Sequence, residues 1–306
     1  MLSRRILAAA FGGATLIGAV GLAVLPGAST AQLAGSQVAV HSVAAANIPS
    51  PGGPMVHAAA SGQASAQAAQ ASGQKFSVAE QSYNWSGFAV TSSKKFTYAQ
   101  SRFVQPTLTC PGDHPNEWAS NWVGFDGFNT NSPTVEQDGT AAHCGGANNT
   151  TPVYKAWYEM YPKGSVNVFS VHAGDTINTS VSYSNGKFTL TVADLTPGHK
   201  HTATHTAKCA VCKRNSAEWV IERPELCTSA TNCFLTHLAD FGTTSMSAKV
   251  RAGGKALGIP NFRNYNITMI SSPNDATPTP LDQIGKVSNN AFPATWLAEG
   301  PTVPIG

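Results

Sequence analysis

The sequence predicts an all-β protein folded as a sandwich of about two hundred residues, and three observations carry that expectation. Short runs of alternating apolar and polar residues recur at residues 177–183, 188–192 and 265–269, each bounded by Gly, Asn, Asp or Pro. Asn185-Gly186 stands between two of these runs. That pair suits a two-residue hairpin turn, where both central residues need positive φ. The composition agrees: 306 residues hold 28 Gly and 19 Pro, 42% are hydrophobic and only 11% charged, which fits many short strands and turns better than long helices.

Read from the start, Met1-Leu-Ser-Arg4-Arg5 is a positively charged opening, residues 6–25 are apolar, and Ser29-Thr30-Ala31 offers a small-residue cleavage point. These are the three parts of an export signal, expected over residues 1–31, so the chain is expected to be secreted into the extracellular space. No later apolar run reaches membrane length, and no membrane association is expected after signal removal. Residues 32–74 contain no Asp, Glu, Lys or Arg and are dominated by Ala, Ser, Gln and Gly. Such a stretch has few large side chains to offset the entropy of ordering it. It reads as a pro-segment over 32–79, with at most a non-amphipathic helix over 61–71, ahead of a folded domain over 80–306. The last stretch, 271–306, is rich in Pro, Asn and Thr, and could either wrap the sandwich or hang free.

The net charge is +3 with 19 Lys and Arg, scattered along the chain rather than clustered, so no nucleic-acid footprint is present. With only 16 Asp and Glu, few ion pairs stand to be lost on acidification. Six cysteines in an exported chain suggest three disulfides, for which fifteen pairings exist. Spacing favours Cys110–Cys144, Cys209–Cys212 and Cys227–Cys233. Cys209 and Cys212 could instead form a redox or metal motif, but no βαβ pattern surrounds them.

The segment that points most directly at chemistry is Ala217-Glu218-Trp219-Val220-Ile221-Glu222. In a strand Glu218, Val220 and Glu222 share one face and Trp219 and Ile221 the other. A carboxylate in a core strand is costly to bury, so it is paired for structure or kept for catalysis. Upstream lie Asn84-Trp-Ser-Gly, Trp122-Val-Gly-Phe-Asp126-Gly, Val135-Glu-Gln137-Asp-Gly, and Ala156-Trp157-Tyr-Glu159 followed by Tyr161-Pro162. In order and spacing these segments, from roughly residue 81 to residue 241, resemble the glutamic peptidases, or eqolisins, which are secreted acid proteases.

That resemblance implies two curved antiparallel sheets of the concanavalin-like kind. It also implies protein or peptide substrates, no cofactor, and a propeptide removed at acid pH so that the mature chain, expected to be a monomer, begins near residues 75–82. It makes Glu222 the acid/base and Gln137 the amide that holds the oxyanion. Trp122, Asp126, Trp157 and Glu159 would line the cleft or orient that pair. The division of labour is chemically sound: a carboxylate can take the proton from water and return it to the leaving nitrogen, while a neutral amide donates to the oxyanion at any pH. The family often carries an aspartate four residues after the glutamine, where this chain has Ala141.

His199, His201 and His205 share one strand parity, with Cys209 and Cys212 just beyond, a spacing that could hold zinc or copper. Pro197-Gly198 marks a turn beside them, and at acid pH protonated imidazoles would not ligate. They are read as a solvated cationic hairpin, with no metal expected. The alternative function is a carbohydrate-binding or glycoside-hydrolysing module of the same fold. Glu218 and Glu222, about 13 Å apart along one strand, are too far apart for a glycosidase pair, whereas Glu159 with Glu222 across strands could serve. No pepsin-like Asp-Thr/Ser-Gly, Gly-x-Ser-x-Gly or His-Glu-x-x-His signature is present.

Overall fold

The computed structural model describes residues 53–58, 77–229 and 232–305. The export signal over 1–31 and the helix considered over 61–71 lie outside the described residues. Two large sheets dominate. The first runs β1 (Ser77–Ser82), β17 (Arg263–Met269), β2 (Trp85–Thr91), β11 (Ser216–Glu222), β4 (Glu117–Phe125), β5 (Val135–Gly145), β6 (Thr151–Tyr161) and β7 (Val166–Ser170), with β14 (His237–Leu238) paired to β4. The second runs β10 (His201–Ala207), β9 (Lys187–Asp194), β8 (Thr176–Ser184), β3 (Tyr98–Val104) and β16 (Lys249–Arg251). Two small sheets complete the chain: β12 (Glu225–Ser229), β13 (Asn232–Leu235) and β20 (Val303–Ile305), then β15 (Thr243–Ser247), β19 (Ala291–Trp296) and β18 (Asp282–Ile284). Pairing is antiparallel except at β1–β17 and β14–β4. Among the described residues the one helical element is a single 3-10 turn, Ile259–Asn261.

Alternation along the strands builds the core. Phe88, Val123, Phe125, Trp219 and Ile221 of the first sheet meet Ile177, Val181, Phe188 and Leu190 of the second in one buried cluster. Each such side chain removed from water contributes on the order of 2 kcal/mol. The opposite parity of the first sheet forms a separate cluster on its outer face, with Trp85, Ala89, Trp122, Trp157 and Val220. The hairpin expected at Asn185-Gly186 joins β8 to β9, with φ of 49° and 75° at the two positions and Ser184 opposite Lys187.

All three favoured disulfides are formed. The described part of 271–306 wraps the sandwich, supplying β18, β19 and β20. Arg223, fully buried, holds it in place: its guanidinium donates to the carbonyls of Tyr83 (2.5 Å), Pro301 (2.8 Å), Ile270 (3.3 Å) and Ser271 (2.5 Å). A buried cation spread over four carbonyls is satisfied without a carboxylate partner.

Candidate active site

The register of the first sheet sets the site. Gly124 on β4 lies opposite Glu218 on β11 and opposite Gln137 on β5, and Gln137 lies opposite Glu159 on β6. Residues directly opposite share a face. Ala89, Glu218, Gly124, Gln137 and Glu159 therefore form one row across the outer face of the sheet. Glu218 and Gln137 are two strand spacings apart, about 10 Å between Cα atoms, with only a glycine between them. A Cβ at Gly124 would come within 3.1 Å of the Gln137 Cβ and 3.0 Å of the Trp122 ring. The glycine keeps the floor clear, so two long side chains can lean toward one another over it. The next row holds Val220, Trp122, Gly139 and Trp157, and the row after it Trp85, Glu222, Ser120 and Ala141.

The register separates the expected catalytic pair. Glu222 shares the face with Gln137 but not the row: it sits opposite Ser120, four residues along β4 from Gly124. Two strand spacings and four residues put its Cα roughly 16 Å from that of Gln137, too far to share one water. Glu222 instead accepts hydrogen bonds from Trp122 Nε1 (2.8 Å), Trp85 Nε1 (3.2 Å) and Asn84 Nδ2 (3.4 Å). It pins two indoles whose rings meet edge to face at 4.8 Å. The strand parity was right; which of two carboxylates on that parity meets Gln137 depends on the pairing with β4.

Glu218 is fully buried, and neither carboxyl oxygen meets a donor in hydrogen-bonding geometry among the described residues. Burial drives its carboxyl well above the ordinary glutamate range; the nearby Ser216 hydroxyl opposes this, and the charges of Asp126 and Glu136 add to it. Gln137 is oriented by Glu159, whose Oε2 accepts its Nε2 at 2.8 Å. Asp126 does not act on the amide. Its carboxylate accepts the backbone N–H groups of Lys213 (2.8 Å), Arg214 (2.7 Å) and Asn215 (2.9 Å) and so anchors the turn that leads into β11 and Glu218. Trp122 and Trp157 form the buried apolar floor beside the row.

Residues 53–58, which precede the folded domain in sequence, lie on this outer face. Met55 is 5% exposed and belongs to the cluster with Trp85, Trp122 and Trp157. Its N–H donates to the Gly127 carbonyl at 3.1 Å, the Val56 N–H to Asn84 Oδ1 at 2.8 Å, and the Tyr83 N–H to the Val56 carbonyl at 2.9 Å. Gly53 lies beside Glu225 and Tyr161, while the Ala58 N–H reaches the Gln81 carbonyl. Asn84 opens one of the segments that carry the family resemblance, but the sequence assigned it no role of its own. The residue is 2% exposed and links the Glu222 carboxylate to this segment. Its place directly before Trp85 was the available signal.

Fold and site together define a β-sandwich whose outer face carries a buried carboxyl group, Glu218, and a neutral amide, Gln137, in one row. The sequence profile of the Peptidase A4 family matches residues 83–283, and the chain belongs to that family, the glutamic peptidases or eqolisins. Solved structures similar to it include two of the same class. One is scytalido-glutamic peptidase with a transition state analog inhibitor (TM-score 0.57, 22% identity, 70% of this chain and 98% of that one). The other is SCP-B, a member of the eqolisin family in a complex with the tripeptide Ala-Ile-His (TM-score 0.55, 20% identity, the same 70% and 98%). Among curated proteins none matches. The chain is a glutamic endopeptidase.

Proposed function

We propose that this endopeptidase cleaves protein substrates with Glu218, not Glu222, as its general acid/base and with Gln137 as the amide that stabilises the oxyanion. The observation that carries this reading is the shared row, Glu218–Gly124–Gln137–Glu159. A water held over Gly124 between the two side chains loses a proton to the Glu218 carboxylate as its oxygen attacks the peptide carbon. Charge then develops on the carbonyl oxygen. One N–H of the Gln137 amide is committed to Glu159, and the other is assigned to that oxygen. Collapse of the tetrahedral adduct breaks the C–N bond as Glu218 returns the proton to the departing nitrogen. A positioned acid/base supplies about 10² to 10⁴ in rate and an oxyanion donor about 10² to 10³. The glycosidase alternative loses its candidate pair: Glu159 and Glu222 are three strands and four residues apart, roughly 20 Å between Cα atoms, against the 5 to 9.5 Å such enzymes need.

The same reading makes the full chain a secreted precursor, supported by the export-signal pattern of 1–31 and by residues 53–58 lying over the catalytic face. Protein digestion across the pH range, with and without pepstatin, tests the class. Digestion indifferent to pepstatin is expected, with an acid limb in its pH profile that reports the ionisation of Glu218; inhibition by pepstatin, or an acid limb that is unchanged in Glu218→Gln, would overturn the reading.

A further inference from the structure

At one end of the second sheet, two turns converge on one carboxylate. The turn His172-Ala173-Gly174-Asp175 leads into β8, and the turn between β9 and β10 carries His199. Asp175 Oδ1 lies 2.7 Å from His199 Nδ1, and Oδ2 lies 3.2 Å from His172 Nδ1 and 2.7 Å from the His172 backbone nitrogen. The Asp175 side chain is 3% exposed, whereas those of His172 and His199 are 65% and 47% exposed. One nitrogen of each imidazole and one oxygen of the carboxylate lie within 4.8 Å of one another.

A second carboxyl stands behind them. Asp194, at the end of β9 and 2% exposed, lies within hydrogen-bonding reach of Asp175. Its Oδ1 accepts the Thr196 N–H at 2.8 Å, while its buried Oδ2 has no donor among the described residues. Two adjacent carboxyls with an unpartnered oxygen create a local demand for positive charge.

We propose that His172, His199 and Asp175, with Asp194 behind them, form a binding site for a first-row transition-metal dication of the zinc type. Imidazole nitrogen and carboxylate oxygen are ligands such ions take at about 2.0–2.2 Å, which separates tetrahedral ligand atoms by about 3.4 Å. The distances of 2.7 and 3.2 Å reach that spacing with shifts of under an ångström. The ion takes the place of the two Nδ1 protons now directed at Asp175, the half-exposed imidazoles leave the fourth position to water, and Asp194 supplies charge from the next shell.

The grouping of His199 with His201 and His205 considered from the sequence is not the site. His201 stacks on Phe169 and His205 on Tyr158, the latter at 4.2 Å between ring centroids. Two other clusters that include cysteine sulfurs, at Cys209–Cys212 and Cys227–Cys233, have those sulfurs committed to disulfides. The bound ion would clamp the β7–β8 and β9–β10 turns together. The proposal is independent of the peptidase mechanism.

The test uses the full chain at neutral pH after treatment with a chelator, with zinc chloride as the probe, read by titration calorimetry and by thermal unfolding. One zinc ion per chain and a raised unfolding temperature are expected. His172→Ala and His199→Ala, at exposed positions outside the core, should each weaken binding roughly tenfold or more and remove the thermal shift. His205→Ala should retain both, and magnesium, which prefers six oxygen ligands, should give no shift. Absence of zinc binding by the parent chain, binding that survives both His172→Ala and His199→Ala, or its loss in His205→Ala would each overturn the proposal.

Discussion

Two glutamates on one strand, Glu218 and Glu222, differ in every respect that matters to their chemistry. Glu222 accepts hydrogen bonds from two indoles and an amide. Glu218 is pushed toward its neutral form by burial, which the Ser216 hydroxyl only partly opposes. Replacing Glu218 by Gln should lower turnover by about 10² to 10⁴ with no loss of thermal stability, because the site already disfavours the charge. Glu222→Gln presents an NH2 group to indole donors. It should cost about 1 to 3 kcal/mol in denaturant unfolding while sparing more of the turnover. If folded Glu222→Gln is inactive and Glu218→Gln is not, the roles assigned here are reversed. Gly124→Ala tests the gap itself. Its methyl would sit 3.1 Å from the Gln137 Cβ, so kcat should fall alongside a stability loss of about 1 to 3 kcal/mol.

Among the elements, the six residues 53–58 have the least expected position. An uncharged stretch was read as too poor in large side chains to order itself, and alone it is; Met55 is ordered because the Trp85, Trp122 and Trp157 cluster receives it. Occupying that face should delay activity. In a full-chain preparation brought to acid pH, peptide hydrolysis should begin after a lag, and Met55→Asp should shorten the lag because a carboxylate is costly to place among indoles. The final rate should be unchanged once the segment is removed. Equal lags in the two folded proteins would show that the segment does not block the site. Within β5, Gly139 lets β4 approach: a Cβ there would lie 2.2 Å from the Asn121 carbonyl oxygen and 2.6 Å from the Trp122 Cβ. The clash is with backbone and the base of a side chain, so Gly139→Ala should abolish recovery of folded protein rather than tune its stability.

For the whole molecule, buried acids set the response to pH. Glu136, Asp138 and Glu218 are raised well above their ordinary values, and Asp282 is raised to about 7, burial being the largest cause in each case. Groups with raised folded values bind more protons folded than unfolded, so the stability they contribute is full below their unfolded values and is lost as pH rises through the folded ones. For Asp282 the window runs from 3.8 to about 7, a contribution on the order of 4 kcal/mol. Asp175 works the other way: burial raises it, but the His199 and His172 bonds hold it below its ordinary value, so its contribution is lost only at the acid end. Urea midpoints should therefore fall as pH rises from about 4 to about 7, and Asp282→Asn should flatten part of that slope. A midpoint that climbs across this window would show that these acids are ionised in the folded protein.

Much of this protein was determined by local sequence. Period-two alternation placed Glu218, Val220 and Glu222 on one face, Asn185-Gly186 fixed a hairpin because few other pairs accept two positive φ values, and cysteine spacing matched the three disulfides. Gln137 and Glu159 were named by resemblance to the glutamic peptidases rather than by alternation, since a glutamine before Asp-Gly carries no signal of its own. Cross-strand register was not legible, because a shift of four residues keeps every side chain on its own face and leaves the alternation unchanged. Only the pairing of β11 and β5 with β4 put Glu218, rather than Glu222, opposite Gly124 and Gln137. The same holds for His199, whose partners His172 and Asp175 come from another turn, and for Arg223, whose four carbonyl acceptors come from distant segments. Alternation and turn chemistry depend on neighbours in the chain, whereas these contacts depend on which strands lie side by side, and that is decided by the packing of the whole sandwich.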